Sequence, residues 1–123
     1  MKSAIAIIVF ALLFVGSAEA GSSGRITVGI DCTSEKVSTF SPGTPIYLRG
    51  DGFTPYENKI WIVELLDRTS QGGTKTHYYV AHGQVTMDTA GTFCAYTLTP
   101  SAGYAGYRYL AWLDGKKTQF TIE

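Results

Sequence analysis

The chain has little sulfur, little histidine and no excess of charge: two cysteines, two histidines, and ten basic residues against ten acidic ones in 123. A neutral protein has no long-range field to gather nucleic acid or anionic lipid. The basic residues are also scattered, with only Lys116 and Lys117 adjacent. Nucleic acid is therefore not an expected partner. Metal chemistry is equally short of material, because Cys32 and Cys94 are a distant pair and supply too few ligands. His77 and His82 lie five apart in an extended segment, which aims their side chains at opposite faces. Asp51, Glu57 and Asp88 are loop acids of the kind calcium uses, but they do not form the dense loop of a dedicated site. No metal or cofactor is expected. The single asparagine, Asn58, precedes Lys59-Ile60 and offers no N-glycosylation acceptor.

Catalytic patterns are missing as well. Ser70, His77 and Asp88 are the residue types of a hydrolytic triad, yet no glycine-x-serine-x-glycine elbow marks a nucleophile. Glu64 and Asp67 fall on opposite strand faces, a poor arrangement for paired-carboxylate glycoside cleavage. The sequence predicts a non-catalytic protein, with a small secreted hydrolase as a distant alternative.

Long apolar runs occur once, at the start. Lys2 gives a positive n-region, Ile5 to Val15 is continuously apolar, and Ala18-Glu19-Ala20 offers a small-x-small cleavage site before Gly21. That layout predicts a signal peptide over 1–20, too short and wrongly flanked for a lasting membrane span. The expected mature form is one domain over 21–123, extracellular or periplasmic, with no membrane insertion after cleavage. No second hydrophobic segment, lipid-accepting cysteine or apolar tail follows. In an oxidising compartment the two cysteines predict one intramolecular bridge, Cys32 to Cys94. It would close a loop of about sixty residues, worth roughly 4 kcal/mol of chain entropy.

The rest reads as strands and turns. Ile26, Val28, Ile30 and Cys32 alternate with polar residues, which predicts a half-buried strand with Cys32 facing inward. Ser41-Pro42-Gly43-Thr44 is a turn before a strand in which Ile46 and Leu48 share a face. Phe53 is expected to pack back onto the core. Lys59–Asp67 is the most apolar mature segment and reads as a central strand. Trp61, Val63 and Leu65 are placed inward, Ile60, Ile62 and Glu64 outward. Thr76–Ala81 and Gln84–Asp88 follow as two short strands or one bent one, broken near His82-Gly83. Thr92–Thr99 is another strand. One phase buries Cys94, Tyr96 and Leu98, and the other buries Phe93 and Ala95; pattern alone leaves both open. Tyr107–Leu113 and Lys116–Ile122 flank Asp114-Gly115, a strong hairpin signal. About seven strands punctuated by glycine and proline predict a two-sheet sandwich, with a small β-barrel as the alternative.

The run Ser41-Pro-Gly-Thr-Pro-Ile-Tyr-Leu-Arg-Gly-Asp-Gly-Phe-Thr-Pro55, the Ile60–Leu66 strand, and Ala90-Gly-Thr-Phe93 resemble prokaryotic extracellular immunoglobulin-like domains of the IPT/TIG-like kind. The likeness extends through Gly106-Tyr107 and the terminal hairpin, over about Val37 to Glu123. It implies an all-β immunoglobulin-like sandwich serving as a spacer, adhesion, polymer-binding or assembly module, with no active site to carry over. Cys32 and Cys94 depart from the B-to-F bridge of antibody domains. Such modules usually occur in tandem, and a copy standing alone would act as a binder, an inhibitor or a subunit. The layout is also similar to secreted actinobacterial apoproteins that carry enediyne chromophores, without their second cysteine pair.

Two candidate surfaces follow from the residues. All eight tyrosines lie beyond the leader. Tyr78, Tyr79, Tyr104, Tyr107 and Tyr109 with Trp112 form a candidate aromatic binding surface for a glycan, small molecule or protein. Ile60 and Ile62 are a candidate subunit contact, since an isolated sandwich covers only one face of each sheet. The flexible start Gly21–Gly24 and the strand after it are suited to edge pairing between subunits. The expected function is binding or assembly through protein contacts or self-association, with carbohydrate or small-molecule binding as the alternative.

Overall fold

The computed structural model describes residues 23–66 and 78–123. The predicted signal peptide, Asp67, Ser70 and His77 lie outside the described residues. Eight strands follow in chain order: β1 (Arg25–Gly29), β2 (Thr39–Phe40), β3 (Ile46–Asp51), β4 (Asn58–Leu65), β5 (Tyr79–Thr86), β6 (Phe93–Leu98), β7 (Tyr107–Leu113) and β8 (Lys116–Ile122). They form two sheets, β1-β3-β6 and β2-β8-β7-β4-β5. Every pairing is antiparallel except the two-residue parallel ladder of β2 on β8. No ladder joins the sheets among the described residues, so the architecture is a β-sandwich and not the barrel.

Alternation fills the space between the sheets. Ile26, Val28, Ile46, Leu48 and Phe93 point in from one sheet, and Trp61, Val63, Tyr109, Ala111, Leu113, Phe120 and Ile122 from the other. Phe53 and Met87, between strands, close one end of the core. There Gly91 must be glycine: its φ is +78°, and a Cβ would sit 2.0 Å from the Phe53 carbonyl oxygen. Asp114 and Gly115 both have positive φ, the geometry of the tight β7–β8 hairpin.

The structure corrects two expectations, the first and third below, and decides a question that pattern alone leaves open, the second. First, the Cys32–Cys94 disulfide is present, but Cys32 is exposed and lies beyond the end of β1. Asp31 ends the strand by accepting the backbone N–H groups of Thr33 (2.9 Å) and Ser34 (2.7 Å). Ile30 is then 40% exposed, and the bridge crosses the outer face of the three-stranded sheet. Second, β6 takes the phase that buries Phe93, leaving Cys94 half-buried opposite Arg49. Third, His82-Gly83 does not break the chain, because β5 runs unbroken over it with an irregularity only beside Val63/Glu64. Gly83 serves packing: a Cβ there would lie 2.6 Å from the Trp61 ring, which spreads across it.

Candidate functional site

The outer face of the five-stranded sheet carries the side chains that point away from the core. Ladder registers set them in two rows, His82–Ile62–Trp112–Lys117 and Tyr79–Glu64–Leu110–Gln119, with Ile60 beside Gln84 extending the first. Ile60 is 59% exposed, Tyr79 is 55% exposed, and Ile62, Leu110 and Trp112 are half-buried. An antiparallel sheet with one solvated face ordinarily shows polar residues there. This one shows an apolar stripe along β4 and β7.

Polar groups fix that stripe in place. The Trp112 indole Nε1 donates to Glu64 Oε1 at 2.6 Å, so the largest ring on the face is held by a buried side chain. Lys117 Nζ lies 5.1 Å from the Trp112 ring centroid, on β8 beside it. At the end of the stripe, Lys59 bridges Glu57 (3.0 Å) and Asp114 (3.3 Å). Its ammonium is held above the ordinary lysine range, first by the Glu57 hydrogen bond and then by Asp114, against some desolvation. Between Ile60, Ile62, Glu64, Tyr79, Trp112 and the hairpin lies a shallow hollow of about 440 Å3.

The predicted aromatic surface is divided by strand parity. Tyr79 and Trp112 belong to the outer face just described. Tyr78, Tyr104 and Tyr107 border a separate hollow of about 370 Å3 with Leu65 and Val80. Tyr109 is core, 2% exposed, stacked on Phe120 at 5.6 Å, with its hydroxyl donating to the Tyr104 carbonyl at 2.7 Å. It backs the tyrosine hollow from the core side and does not share a face with Trp112, because it sits an odd number of residues away and odd spacing in a strand changes face. Burial, with lesser contributions from Tyr104 and Tyr107, raises its phenol above the usual tyrosine range.

The outer face of the three-stranded sheet holds a third hollow, about 640 Å3, around the disulfide. Of the charged side chains that line it, all but Lys36 are engaged. Arg25 pairs with Asp51 at 3.1 Å, and Arg49 Nη1 donates to the carbonyls of Asp31 (3.0 Å) and Ser34 (2.6 Å). Asp88 accepts the N–H groups of Ala90 and Thr92, both at 2.9 Å, and the Thr92 hydroxyl. These bonds, the Thr92 hydroxyl foremost, hold the Asp88 carboxyl below its ordinary range; the Ser34 N–H does the same for Asp31. No group of three metal-ligating side chains occurs among the described residues.

Sequence reasoning placed Ile60 and Ile62 together but omitted Leu110, and it grouped Trp112 with five tyrosines of which only Tyr79 shares its hollow. The signal was there: Leu110 and Trp112 share one parity on the strand that the Asp114-Gly115 hairpin orients. Against known proteins, the chain matches no protein-family model and no curated sequence.

Proposed function

We propose that this protein is an exported immunoglobulin-like module that acts without catalysis, by associating with a second copy through the outer face of its five-stranded sheet. The observation that carries this reading is the apolar stripe Ile60, Ile62, Leu110 and Trp112 on a face with no covering layer among the described residues. Water contact with such a stripe is unfavourable, and a second identical stripe covers it, while the Glu64 carboxylate on the same face already accepts from Trp112 Nε1. The strand order supports the immunoglobulin-like part. β1-β3-β6 corresponds to an A-B-E sheet, and β8-β7-β4-β5 to G-F-C with an added C′.

Four strands at about 4.8 Å spacing and seven residues at about 3.4 Å make a face of roughly 20 by 24 Å. That is the small end of specific interfaces, so association is weak and depends on concentration. The test is sedimentation velocity of residues 21–123 from about 1 to about 500 µM. The weight-average mass of the wild type rises across that range. Ile60→Glu weakens the rise by about tenfold or more, with an unchanged far-ultraviolet spectrum. A wild type that stays monomeric throughout refutes the reading.

A second reading rests on the tyrosine hollow. No charged side chain lines it, and its phenol rings suit a neutral, hydroxylated ring ligand such as a carbohydrate. Tyr107→Ala then abolishes binding of neutral oligosaccharides and leaves self-association intact.

A further inference from the structure

Gly29 alternates with the inward residues of β1 and so faces out from the three-stranded sheet, yet it is buried. Arg49 covers it. A Cβ at position 29 would lie 3.0 Å from Nη1, 3.1 Å from Cζ and 3.4 Å from Nη2 of Arg49, so the guanidinium occupies the place of the missing side chain. Nη1 spends its two N–H groups on the carbonyls of Asp31 (3.0 Å) and Ser34 (2.6 Å). Both acceptors are uncharged, so they fix the group without neutralising it. The Nε–Nη2 edge is left over, a pair of parallel N–H groups that matches a carboxylate bidentately. Among the described residues Arg49 forms no ion pair, and neither does Lys36, which borders the same hollow of about 640 Å3. The acids nearby are committed: Asp51 to Arg25, Asp31 to Thr33 and Ser34, and Asp88 to Ala90 and Thr92. Ladder register then sets two rings beside the cation. Gly29 is opposite Tyr47 and Tyr47 is opposite Tyr96, and opposed residues share a face. The row across the sheet reads guanidinium, ring, ring, and spans about 10 Å at about 4.8 Å per strand. The two rings meet edge to face at 5.6 Å, and Tyr96 is 51% exposed with its hydroxyl 2.8 Å from that of Thr99.

We infer that this row binds an acidic carbohydrate, a chain of uronate units, with a carboxylate on the Arg49 fork, a second drawn towards Lys36, and a sugar ring against Tyr47 and Tyr96. The mixture of groups selects the occupant. A small inorganic anion would use Arg49 and leave both rings without a role. An acidic peptide has no saturated ring to lay on a tyrosine, and the row offers no apolar recess for its side chains. A uronate unit carries the carboxylate, the ring and the hydroxyls together, and tyrosine presents an apolar face with a polar handle to such a ring. Because the chain is neutral, nothing draws the polymer in from a distance, and binding is local, weak and sensitive to salt. The site lies on the other sheet from the apolar stripe and shares no residue with the tyrosine hollow. It therefore stands or falls independently of both.

The experiment is a nuclear magnetic resonance titration of nitrogen-labelled residues 21–123 with three probes: a galacturonate hexamer, the same hexamer fully methyl-esterified, and hexaglutamate. The ester keeps the rings and removes the charge, and hexaglutamate keeps the charge and removes the rings. The acid hexamer shifts the Arg49 Nε–H signal and the amides of Tyr47 and Tyr96, and binds about tenfold or more tighter than either control. Tyr96→Ala, at an exposed ring, weakens it by about fivefold, and Lys36→Gln by about threefold. Arg49→Lys keeps the charge but loses the fork, and weakens it by about tenfold, while the disulfide still holds the segment after β1. Tyr107→Ala and Ile60→Glu leave it unchanged. A wild type that the acid hexamer does not shift overturns the site. Equal binding of the ester overturns the role of Arg49 and Lys36, and equal binding of hexaglutamate overturns the carbohydrate. Binding lost in Tyr107→Ala and kept in Tyr96→Ala moves the ligand to the tyrosine hollow and overturns this row.

Discussion

Removing the disulfide should cost this domain about 4 kcal/mol, nearly all of it through the unfolded chain. Cys32 and Cys94 are 62 residues apart in sequence. Closing a loop of that length lowers unfolded-state entropy enough to be worth about 4 kcal/mol near 25 °C. The native state has little to lose directly. Cys32 is exposed and Cys94 half-buried on an outer face, so Cys32→Ser/Cys94→Ser opens no core cavity. The segment that the bridge tethers has other anchors: Arg49 on the carbonyls of Asp31 and Ser34, and Val37 N–H on the Val28 carbonyl at 3.0 Å. The Thr121 N–H also reaches back to the Ser38 carbonyl at 2.9 Å. The assay is urea unfolding of the oxidised wild type against the double serine variant. With a slope of about 1.3 kcal/mol per molar, the midpoint falls by about 3 M. The slope itself should rise, because the uncrosslinked chain exposes more surface. Domains of this size have about 5–15 kcal/mol in total, so the variant stays folded in buffer. A loss under about 1 kcal/mol, or nuclear magnetic resonance shifts showing β6 displaced in the native variant, refutes the unfolded-state account.

Two further outcomes follow from groups described above. Trp112→Phe keeps an aromatic ring, though a smaller one, and removes the Nε1 donor to Glu64, which should cost about 1–3 kcal/mol in thermal or urea unfolding; equal stability would show that the bond contributes nothing. Asp31 and Asp88 have folded-state carboxyls below their ordinary value, so each contributes stability above that value. The contribution is lost as pH falls through the lower, folded value, and Tm should hold above about pH 5 and fall below about pH 4. Asp88→Asn keeps an acceptor but removes the titration, so its acid slope should be shallower; an identical slope refutes the assignment.

Strand content was legible wherever period two met a strong turn. β7, β8 and their hairpin coincide with the predicted segments, and of the inward set Trp61, Val63 and Leu65 the first two are core and Leu65 is half-buried against it. Three features were hidden from the apolar pattern. The end of β1 depends on Asp31 folding back on Thr33 and Ser34, a polar turn that apolar alternation through Ile30 and Cys32 hides. The phase of β6 stays open in the sequence because it hangs on which side the disulfide takes, and this one spans an outer face. β2 was invisible, because two residues of parallel pairing leave no pattern. At the candidate surfaces, Tyr109 and Trp112 were grouped by nearness in sequence, though their parity already separated them.

Ile122 is fully buried and Phe120 nearly so, packed against Phe40 and Tyr109 in the middle of the sandwich. β2 can join its sheet only when β8 is present, and β8 spans Lys116–Ile122. During synthesis the core therefore stays incomplete until residue 122 has left the ribosome.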